Sequence, residues 1–366
     1  MFSEESFGFR KFKCPHCSSE LSGLVCPKCN KGWMVEGGIA KFVEQPAHWN
    51  LLAEEEMSGL ISQAEKVGWA EAIKKSKSQK IRVLYPFTDC PTRADATFYL
   101  PLNEKSLILD LGSGWGNFSF ALAPRVGQVV AADITSQALK FIHLRKTQDK
   151  IENITPVLIE PLDFGRLPFA DNTFNAVIMN GVLEWVGSHL KTGDPLKLQE
   201  GCLRAVYQTL KNNGRVLIGI ENRFGLKYFF GAQDDHLIHY SSQKISYTTL
   251  LPRIIANWIT RKRISLPYRT YTHSLNGYKS LLKRAGFKDI EVYFPDPDYR
   301  AISAQVYPVK VQEVRKLLRA SMKNELASLS RNMFWHWLFN NFILLIKLFK
   351  LEYFFCNSYL IIGVKR

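Results

Sequence analysis

The stretch of this 366-residue chain that most constrains its fold runs from Leu107 to Phe118 and reads LILDLGSGWGNF. Its opening apolar residues and acid indicate a short buried parallel strand, and a helix is predicted to begin near Phe118. Between them, Gly112, Gly114 and Gly116 allow a sharp turn and let backbone N–H groups approach a ligand, which side chains would prevent. A tight turn without a ligand is the alternative.

The residues around this turn indicate the kind of ligand. A pyrophosphate-binding fingerprint needs its third glycine at position 117, where this chain has Asn117. Asp110, just before the turn, is unfavourable beside a pyrophosphate but suits a cationic ligand with an amino group and a sulfonium. The stretch LDLGSGWGNFSFALA resembles motif I of class I S-adenosylmethionine (SAM)-dependent methyltransferases. The resemblance implies that Asp110 and the three glycines bind SAM.

A second acid lies about 20 residues beyond the glycines. Residues 127–133 read GQVVAAD, which predicts a second buried strand ending in Asp133. An acid at this position can accept hydrogen bonds from both ribose hydroxyls of a nucleoside, in a dinucleotide enzyme as well as in a methyltransferase. Asp133 and the following Ile134 are therefore predicted to bind the cofactor. A helix N-cap is the alternative role for Asp133, although Thr135 competes for it.

Two further segments extend the resemblance. Asp163 precedes a Leu-Pro-Phe turn, like the acid that commonly accepts the adenine amino group in class I methyltransferases, and Phe164 offers the adjacent N–H. Residues 171–185 resemble motif IV, which places Asn180 at the carboxyl end of the fourth strand, where open α/β sheets bind their ligands. Asn180 is thus predicted to contact the cofactor. For Glu184 and Trp185, a functional role and a packing role both remain open.

The order of the predicted elements indicates the fold. The resemblance continues over residues 100–220, with a helix at 199–210, a glycine-containing cap and a strand at 215–220. A sixth strand is predicted near 287–294 and an antiparallel seventh at 358–364. The resemblance implies an α/β fold with a Rossmann-like class I methyltransferase sheet, mostly parallel with an antiparallel last strand. The predicted regions are a zinc ribbon (1–45), a helical N-terminal cap (46–100), the methyltransferase core (101–300) with a rim insertion at about 221–270, and a helical insertion with the final strand (301–366).

Four of the seven cysteines form a metal-binding pattern near the N-terminus. Cys14 and Cys17, like Cys26 and Cys29, are the ends of a Cys-Pro-X-Cys sequence, and eight residues separate the two pairs. Such pairs can converge into a closed tetrahedral site of four thiolates around Zn²⁺, which leaves no open position and predicts a structural ion. Residues 32–43 are predicted to form the hairpin of a zinc ribbon. His16 is an alternative ligand.

The segment that follows the fifth strand contains candidate acid–base residues. Asp235 and His236 are predicted to act as a general-base pair that deprotonates a hydroxyl, because imidazole titrates near neutral pH. A loop histidine bound to the backbone is one alternative, and metal binding by Asp234, Asp235, His236 and His239 is another. The runs ENRFGLKY at 221–228 and YFPDPDY at 293–299 resemble methyltransferases associated with bacterial surface-polysaccharide biosynthesis. That resemblance implies a glycan or lipid-linked glycan acceptor.

The net charge of +15 implies attraction to an anionic partner such as RNA, an acidic glycan or a lipid surface. Nine cations and no acid lie between residues 251 and 288, interleaved with aromatic residues as in an anion-binding surface. A solvated basic face is the alternative. Residues 334–355 are rich in aromatic residues but lack the roughly 20 uninterrupted apolar residues of a membrane span. Peripheral membrane contact and packing against the protein both fit this segment.

These observations predict a SAM-dependent methyltransferase that O-methylates a sugar hydroxyl in a surface-glycan precursor. An RNA base methyltransferase is the alternative, favoured by the charge and the zinc ribbon, and a non-enzymatic glycan- or RNA-binding protein is the third. The predicted cofactors are SAM and a structural Zn²⁺. The cysteine pattern and the lack of an apolar signal segment predict a cytoplasmic protein, with peripheral contact at the inner face of the membrane.

Overall fold

The computed structural model describes residues 8, 11–44, 47–48, 52–161, 165–188, 190, 192–234, 236–237, 243–300, 305–308, 313–329 and 333–366. Within these ranges, ten strands form one sheet. The strands are β1 (Met34–Glu36), β2 (Ile39–Phe42), β3 (Leu107–Leu111), β4 (Gln128–Asp133), β5 (Ile154–Ile159), β6 (Phe174–Asn180), β7 (Leu210–Glu221), β8 (Lys288–Asp296), β9 (Gln305–Pro308) and β10 (Ser358–Val364). Their order across the sheet is β1-β2-β5-β4-β3-β6-β7-β10-β8-β9.

The middle of the sheet is parallel and buried. β3 lies between β4 and β6, and β7 runs parallel to β6. Every residue of β3 is buried, and its side chains alternate between two cores, with Leu109 in one and Ile108 in the other. β10 runs antiparallel between β7 and β8. The predicted Rossmann-like class I methyltransferase sheet with an antiparallel last strand is thus confirmed.

Helices connect the strands and complete the two cores. They are α1 (Glu54–Val67), α2 (Trp69–Lys74), α3 (Gln79–Thr88), α4 (Asn117–Leu122), α5 (Ser136–Gln148), α6 (Pro195–Thr209), α7 (Leu226–Phe229), α8 (Arg253–Ile264), α9 (Leu275–Ala285), α10 (Val314–Leu329), α11 (Met333–Leu348) and α12 (Glu352–Phe355). The predicted glycine-containing cap after α6 is wrong, because residues 210–214 already belong to β7. The register of β6 against β7 shifts between Phe174 and Ala176, so this part of the strand is irregular.

The N-terminal hairpin of β1 and β2 joins the central sheet. Gly37 and Gly38 connect the two strands with φ angles of +56° and +73°, which suit a two-residue hairpin turn. β2 then pairs in parallel with β5, at the edge of the core sheet. Phe12 packs against Phe42 of the hairpin and Phe169 of the core. The cysteine-rich segment is therefore fastened to the core by backbone pairing and by apolar contacts.

Helices α1, α2 and α3 form a cap that packs against α5. Buried apolar side chains of the cap, such as Met57 and Ile73, share one cluster with Phe141 of α5. Trp115 of the glycine turn meets the ring of Phe141 edge-on, with 4.6 Å between the ring centroids. The cap is therefore held beside the glycine turn.

Helices α10 and α11 precede the last strand. Ile343 and Ile346 of α11 pack against Leu226, Met322 and Phe355. Four apolar side chains of α11 are exposed, those of Trp337, Leu344, Leu345 and Leu348. Across the ranges given above, no helix is long and apolar enough to cross a membrane.

Candidate functional site

The glycine turn between β3 and α4 adopts the conformation that the sequence predicts. Gly112, Gly114 and Gly116 have φ angles of +75°, +50° and +82°, a region that residues with a side chain rarely adopt. A Cβ at Gly112 would also collide with Val182, which follows β6. The turn therefore brings backbone against a neighbouring loop at the carboxyl edge of the sheet, where only glycine fits.

Asp133 lies at the carboxyl end of β4, beside this turn. Its carboxylate accepts the Gly114 N–H at 2.8 Å and the Thr135 N–H at 2.8 Å. Burial raises the pKa of Asp133, and these hydrogen bonds oppose the shift. The following Ile134 is half-buried and packs against the main core. A carboxylate at this strand end is placed to accept ribose hydroxyls.

Two more predicted residues lie at the ends of neighbouring strands. Asp110 accepts the Ser119 hydroxyl at 2.6 Å, and burial raises the pKa of Asp110 to about 7. Asn180 ends β6, and a Cβ at Gly219 of β7 would collide with its side-chain oxygen. The Asn180 Oδ1 and the Ser113 Oγ are buried and have no hydrogen-bond partner among the described residues. A polar ligand at this edge would satisfy both atoms.

Three predicted site residues fall outside the ranges that the structure describes. They are Asp163 and Phe164, predicted to contact the adenine, and Asp235, predicted to assist His236.

A second group of titratable residues lies further along the same edge. Glu184 follows β6, Glu221 ends β7, and His236 belongs to the insertion; the three side chains are 1%, 3% and 2% exposed. The His236 Nε2 lies 3.5 Å from the Glu221 Oε2 and 4.0 Å from the Glu184 Oε1. Tyr299 lies between the two glutamates, with its hydroxyl 3.0 Å from Glu221 and 3.3 Å from Glu184. We call these four residues the rim cluster.

His236 is held in the rim cluster by Asp234. The Asp234 carboxylate accepts from the Nδ1 of His236 at 3.0 Å, and it also accepts from the hydroxyls of Thr248 and Tyr268. Trp185 packs against the imidazole, with 4.9 Å between ring centroids. The carboxylates of Glu221 and Asp234 raise the pKa of His236 well above 6.5, although burial opposes the shift. Burial and the neighbouring Glu221 raise the pKa of Glu184 to about 8.

The local sequence explains how the insertion reaches this position. The side-chain amide of Asn222 donates to the carbonyls of Phe354 and Cys356, both at 2.7 Å, just before β10. Arg223 donates to the carbonyls of Thr249 and Leu251, which fixes the chain that leads into α8. The ENRFG run therefore supplies one rim-cluster acid and two side chains that anchor the insertion.

Sequence reasoning missed part of this cluster. The role of Glu184 was left open, and neither Glu221 nor Tyr299 was predicted as a site residue, although both lie in the runs that carry the polysaccharide-enzyme resemblance. The position of Glu221 directly after the apolar strand 216–220 is the signal that identifies it, because the carboxyl ends of parallel strands share one edge.

Comparisons with known proteins identify the class of enzyme. Residues 109–218, which span β3 to β7 and include the glycine turn, Asp133 and Asn180, match a family model described as a methyltransferase domain. A ubiquinone/menaquinone biosynthesis C-methyltransferase of Haemophilus ducreyi is 33% identical over 117 residues, covering 30% of this chain and 39% of the relative. The chain is a SAM-dependent methyltransferase.

The chain is also similar to a synthase and to an N-methyltransferase of known structure. A carboxy-S-adenosyl-L-methionine synthase of Helicobacter pylori is 28% identical over 193 residues, covering 53% of this chain and 72% of the relative. Among solved structures, a phosphoethanolamine N-methyltransferase of Haemonchus contortus in complex with S-adenosylhomocysteine is 13% identical, with a TM-score of 0.42, and the match covers 87% of this chain and 61% of that one.

The four N-terminal cysteines of the methyltransferase converge as their spacing predicts. The Sγ atoms of Cys14, Cys17, Cys26 and Cys29 all lie within 4.8 Å of one another, and none forms a disulfide. The two pairs fold alike: the N–H of the residue after each pair bonds back to the carbonyl of its first cysteine, at 2.8 and 2.9 Å. Hydrogen bonds from Ser19 lower the pKa of Cys17 to about 6.

The basic stretch of the methyltransferase divides into structural and exposed cations. Arg253 donates to the carbonyl of Thr272, and Arg269 donates to the carbonyls of Gly187 and Thr192. These two arginines therefore support the insertion and are not free to bind a partner. The neighbouring cations at the end of α8 are exposed: Arg261, Lys262 and Arg263.

Proposed function

We propose that this methyltransferase transfers a methyl group from SAM to a sugar hydroxyl of a surface-glycan precursor. The observation that carries the proposal is the rim cluster, in which two buried carboxylates and an imidazole lie at the same sheet edge as Asn180. An acceptor hydroxyl must lose its proton as the new C–O bond forms, and groups of this kind are what such a step needs.

The residues at the sheet edge fit SAM. Asp133 offers a carboxylate to the ribose hydroxyls, and Asp110 offers a second acid to a cationic ligand. The glycine turn leaves room for the ligand to approach the backbone, and the unpaired Ser113 and Asn180 oxygens offer polar contacts. When bound, SAM supplies a methyl group attached to a sulfonium. The protein's own contribution is to orient the acceptor and to take up its proton.

The resemblance to polysaccharide-associated methyltransferases supports the choice of acceptor. The two runs that carry it, at 221–228 and 293–299, are the runs that supply Glu221 and Tyr299 to the rim cluster. The segments that resemble those enzymes are therefore segments that build the acceptor side of the site, which is where a shared substrate class would be expressed.

RNA base methylation is the second candidate function, and the exposed basic end of α8 favours it. Arg261, Lys262 and Arg263 are consecutive, all exposed, and follow the exposed Trp258. Cations with an adjacent aromatic ring suit a nucleic acid backbone and its bases.

The test supplies the enzyme with methyl-labelled SAM and, in separate reactions, a lipid-linked glycan extract or total RNA. We expect label in the glycan and none in the RNA; label in RNA alone would overturn the proposal. The variant with Arg261, Lys262 and Arg263 all changed to alanine serves as a further check. It should methylate glycan at the wild-type rate, whereas an RNA enzyme so altered should bind RNA more weakly, with a flatter salt dependence.

We further propose that the four clustered cysteines bind one structural Zn²⁺. Four thiol sulfurs within 4.8 Å of one another, on two alike turns, are a donor set that Zn²⁺ prefers. All four positions of a tetrahedral ion would be filled by protein, so the ion would hold the ribbon together and take no part in the reaction.

We also propose that the exposed face of α11 contacts an anionic membrane surface, where a lipid-linked acceptor would be available at the inner face. The exposed apolar residues that the structure describes in α11 are Trp337, Leu344, Leu345 and Leu348, and the exposed Phe349 and Leu351 follow directly after the helix. Lys347 and Lys350 lie among them, and residues 326–351 contain no acid. A helix that combines tryptophan, leucine and lysine in this way binds flat on a bilayer.

Sedimentation with vesicles tests this contact. The protein should bind vesicles that contain phosphatidylglycerol, and Leu344→Glu combined with Leu348→Glu should abolish the binding. Equal binding by the wild-type protein and this variant would overturn the proposal.

A further inference from the structure

The rim cluster contains a set of donor atoms that is common in metal sites. Glu184, Glu221 and His236 each offer one ligand atom, and these three atoms lie within 4.8 Å of one another. Ligands bound at 2.0–2.2 Å from one cation stand about 3 to 4 Å apart. The separations of 3.5 and 4.0 Å between the His236 Nε2 and the two glutamates lie in this range.

Two carboxylate oxygens in this cluster are buried and accept no hydrogen bond from a described residue; the nearest cationic group to the Glu221 Oε2 is the His236 imidazole, with its Nε2 3.5 Å away. The Glu184 Oε2 and the Glu221 Oε2 have no hydrogen-bond partner among the described residues, although both side chains are almost wholly buried. The single hydroxyl proton of Tyr299 satisfies at most one of the other two oxygens. Burying a carboxylate oxygen that accepts no hydrogen bond is unfavourable, so a cation beside these oxygens would remove a substantial penalty.

The orientation of His236 matches that of a metal-bound histidine. A carboxylate can only accept, so the Asp234 contact places a proton on Nδ1 and leaves Nε2 facing the two glutamates. Asp234 is itself fixed by Thr248 and Tyr268. A carboxylate that orients a histidine from behind is the usual outer partner of a metal ligand.

We propose that Glu184, Glu221 and His236 bind one divalent cation. The inference rests on the proposed O-methylation and names the group that activates the acceptor. Two carboxylates and one imidazole suit ions such as Mn²⁺. A site with only three protein ligands keeps open positions, and a hydroxyl bound there becomes more acidic. In this arrangement Nε2 holds the cation, so His236 does not itself take the proton.

The charges around the site are compatible with a divalent cation. Three buried carboxylates, those of Asp234, Glu184 and Glu221, face one imidazole. The Arg300 guanidinium lies 3.7 Å from Glu221, on the side of the oxygen that Tyr299 contacts. A divalent cation between the two glutamates would compensate the charge that both side chains carry when they are ionised.

The test measures Mn²⁺ binding by the full-length protein. The protein is treated briefly with EDTA, its retained zinc is verified by mass spectrometry, and Mn²⁺ is added while the electron paramagnetic resonance signal of free Mn²⁺ is followed. We expect one bound Mn²⁺ per chain. Glu184→Gln and Glu221→Gln should each weaken binding at least tenfold, whereas Glu200→Gln, an ion-paired glutamate of α6, should leave it unchanged.

SAM affinity, measured on the same samples, shows that each variant is folded. No Mn²⁺ binding up to millimolar concentrations, or equal binding by both rim variants and the wild type, would overturn the inference. Methylation of glycan at full rate in EDTA would also overturn it and would leave the proposed function intact. Conversely, if Mn²⁺ binds at the rim cluster but methyl label appears only in RNA, the cation site stands and the proposed glycan acceptor is wrong.

Discussion

The N-terminal ribbon, with its four cysteines, and the rim cluster differ in how the chain brings their titratable side chains together. The four cysteines lie within a 16-residue stretch, and two alike turns direct their sulfurs inward. Glu184, Glu221 and His236 come from three separate elements, and Tyr299 joins them from a fourth, 115 residues beyond Glu184. The ribbon cluster is encoded by local spacing, whereas the rim cluster exists only once the sheet and its insertion are folded.

The difference predicts opposite consequences of losing each cluster. Ligands that organise a short segment contribute their binding energy to folding, about 10–16 kcal/mol for structural Zn²⁺. Side chains that a large core already holds in place contribute little to the stability of the fold. Burying their charges is unfavourable, and a bound substrate or cation offsets that cost. Variants of the ribbon cysteines should therefore lose local structure, whereas variants of the rim cluster should stay folded and lose methyl transfer activity.

The largest effect is expected from changing Cys14 and Cys17 to serine together. Zinc content should fall from one atom per chain to none, and the segment 11–44 should become sensitive to trypsin, because the thiolates are its main cross-link. Elemental analysis and limited proteolysis would show both changes. Cys90→Ser, at a buried thiol outside the ribbon, is the control and should keep its zinc. If wild-type protein purified without chelators contained no zinc, the proposed role of the four cysteines would be wrong.

The next largest effect is expected from His236→Ala, which should lower kcat by about 10²–10⁴-fold. The affinity for SAM should not change, because the rim cluster acts on the acceptor. Steady-state kinetics together with calorimetric titration of SAM separate the two effects. His143→Ala on α5 is the matched control. Activity that high pH restores in part would mean that His236 accepts the proton itself, and it would contradict the role of His236 as a cation ligand. An unfolded variant would show that the rim cluster is needed for the fold.

The cofactor site lies between these two cases, because Asp133 bonds to Gly114, which is 19 residues away in the sequence. Asp133→Ala removes the acceptor for two charge-assisted hydrogen bonds, and the Kd for SAM should rise at least about 100-fold. Calorimetry measures this loss, with Asp171→Ala, at an exposed acid, as the control. A wild-type protein that bound NAD and not SAM would refute the assignment of this edge.

The smallest effect concerns pH and Asp110, whose pKa of about 7 results mainly from burial. The ionised carboxylate attracts a cationic ligand, and it becomes the main form only as the pH rises through 7. SAM affinity should therefore increase by up to about tenfold from pH 5.5 to 7.5, and it should stay flat in Asp110→Asn. Calorimetry at several pH values tests this, and an equal slope in both proteins would exclude Asp110 as the cause.

The sequence predicts well what depends on local pattern. The glycine turn, the acid that ends β4 and the four cysteines follow from spacing over a few residues, whereas the antiparallel last strand follows from the resemblance to class I methyltransferases. For residues 210–214 the prediction was wrong because glycine and asparagine favour a helix cap locally, while Leu210 pairs with Phe174 of β6 and the backbone of Asn213 and Gly214 bonds to Lys365 after β10. For His236, the sequence cannot choose between two adjacent acids; the fold turns Asp234 toward Nδ1 and supplies Glu184 and Glu221 from a distance.

The pairing of β2 with β5 gives the ribbon a protective role for the whole protein. A strand at the edge of a sheet carries unpaired backbone groups that can recruit strands from other molecules. β2 and β1 cover β5, which would otherwise be the outermost strand of the core on this side. If the four cysteines bind Zn²⁺ as proposed, we expect a chain without the ion to expose this edge and to self-associate, although its SAM-binding residues would be intact.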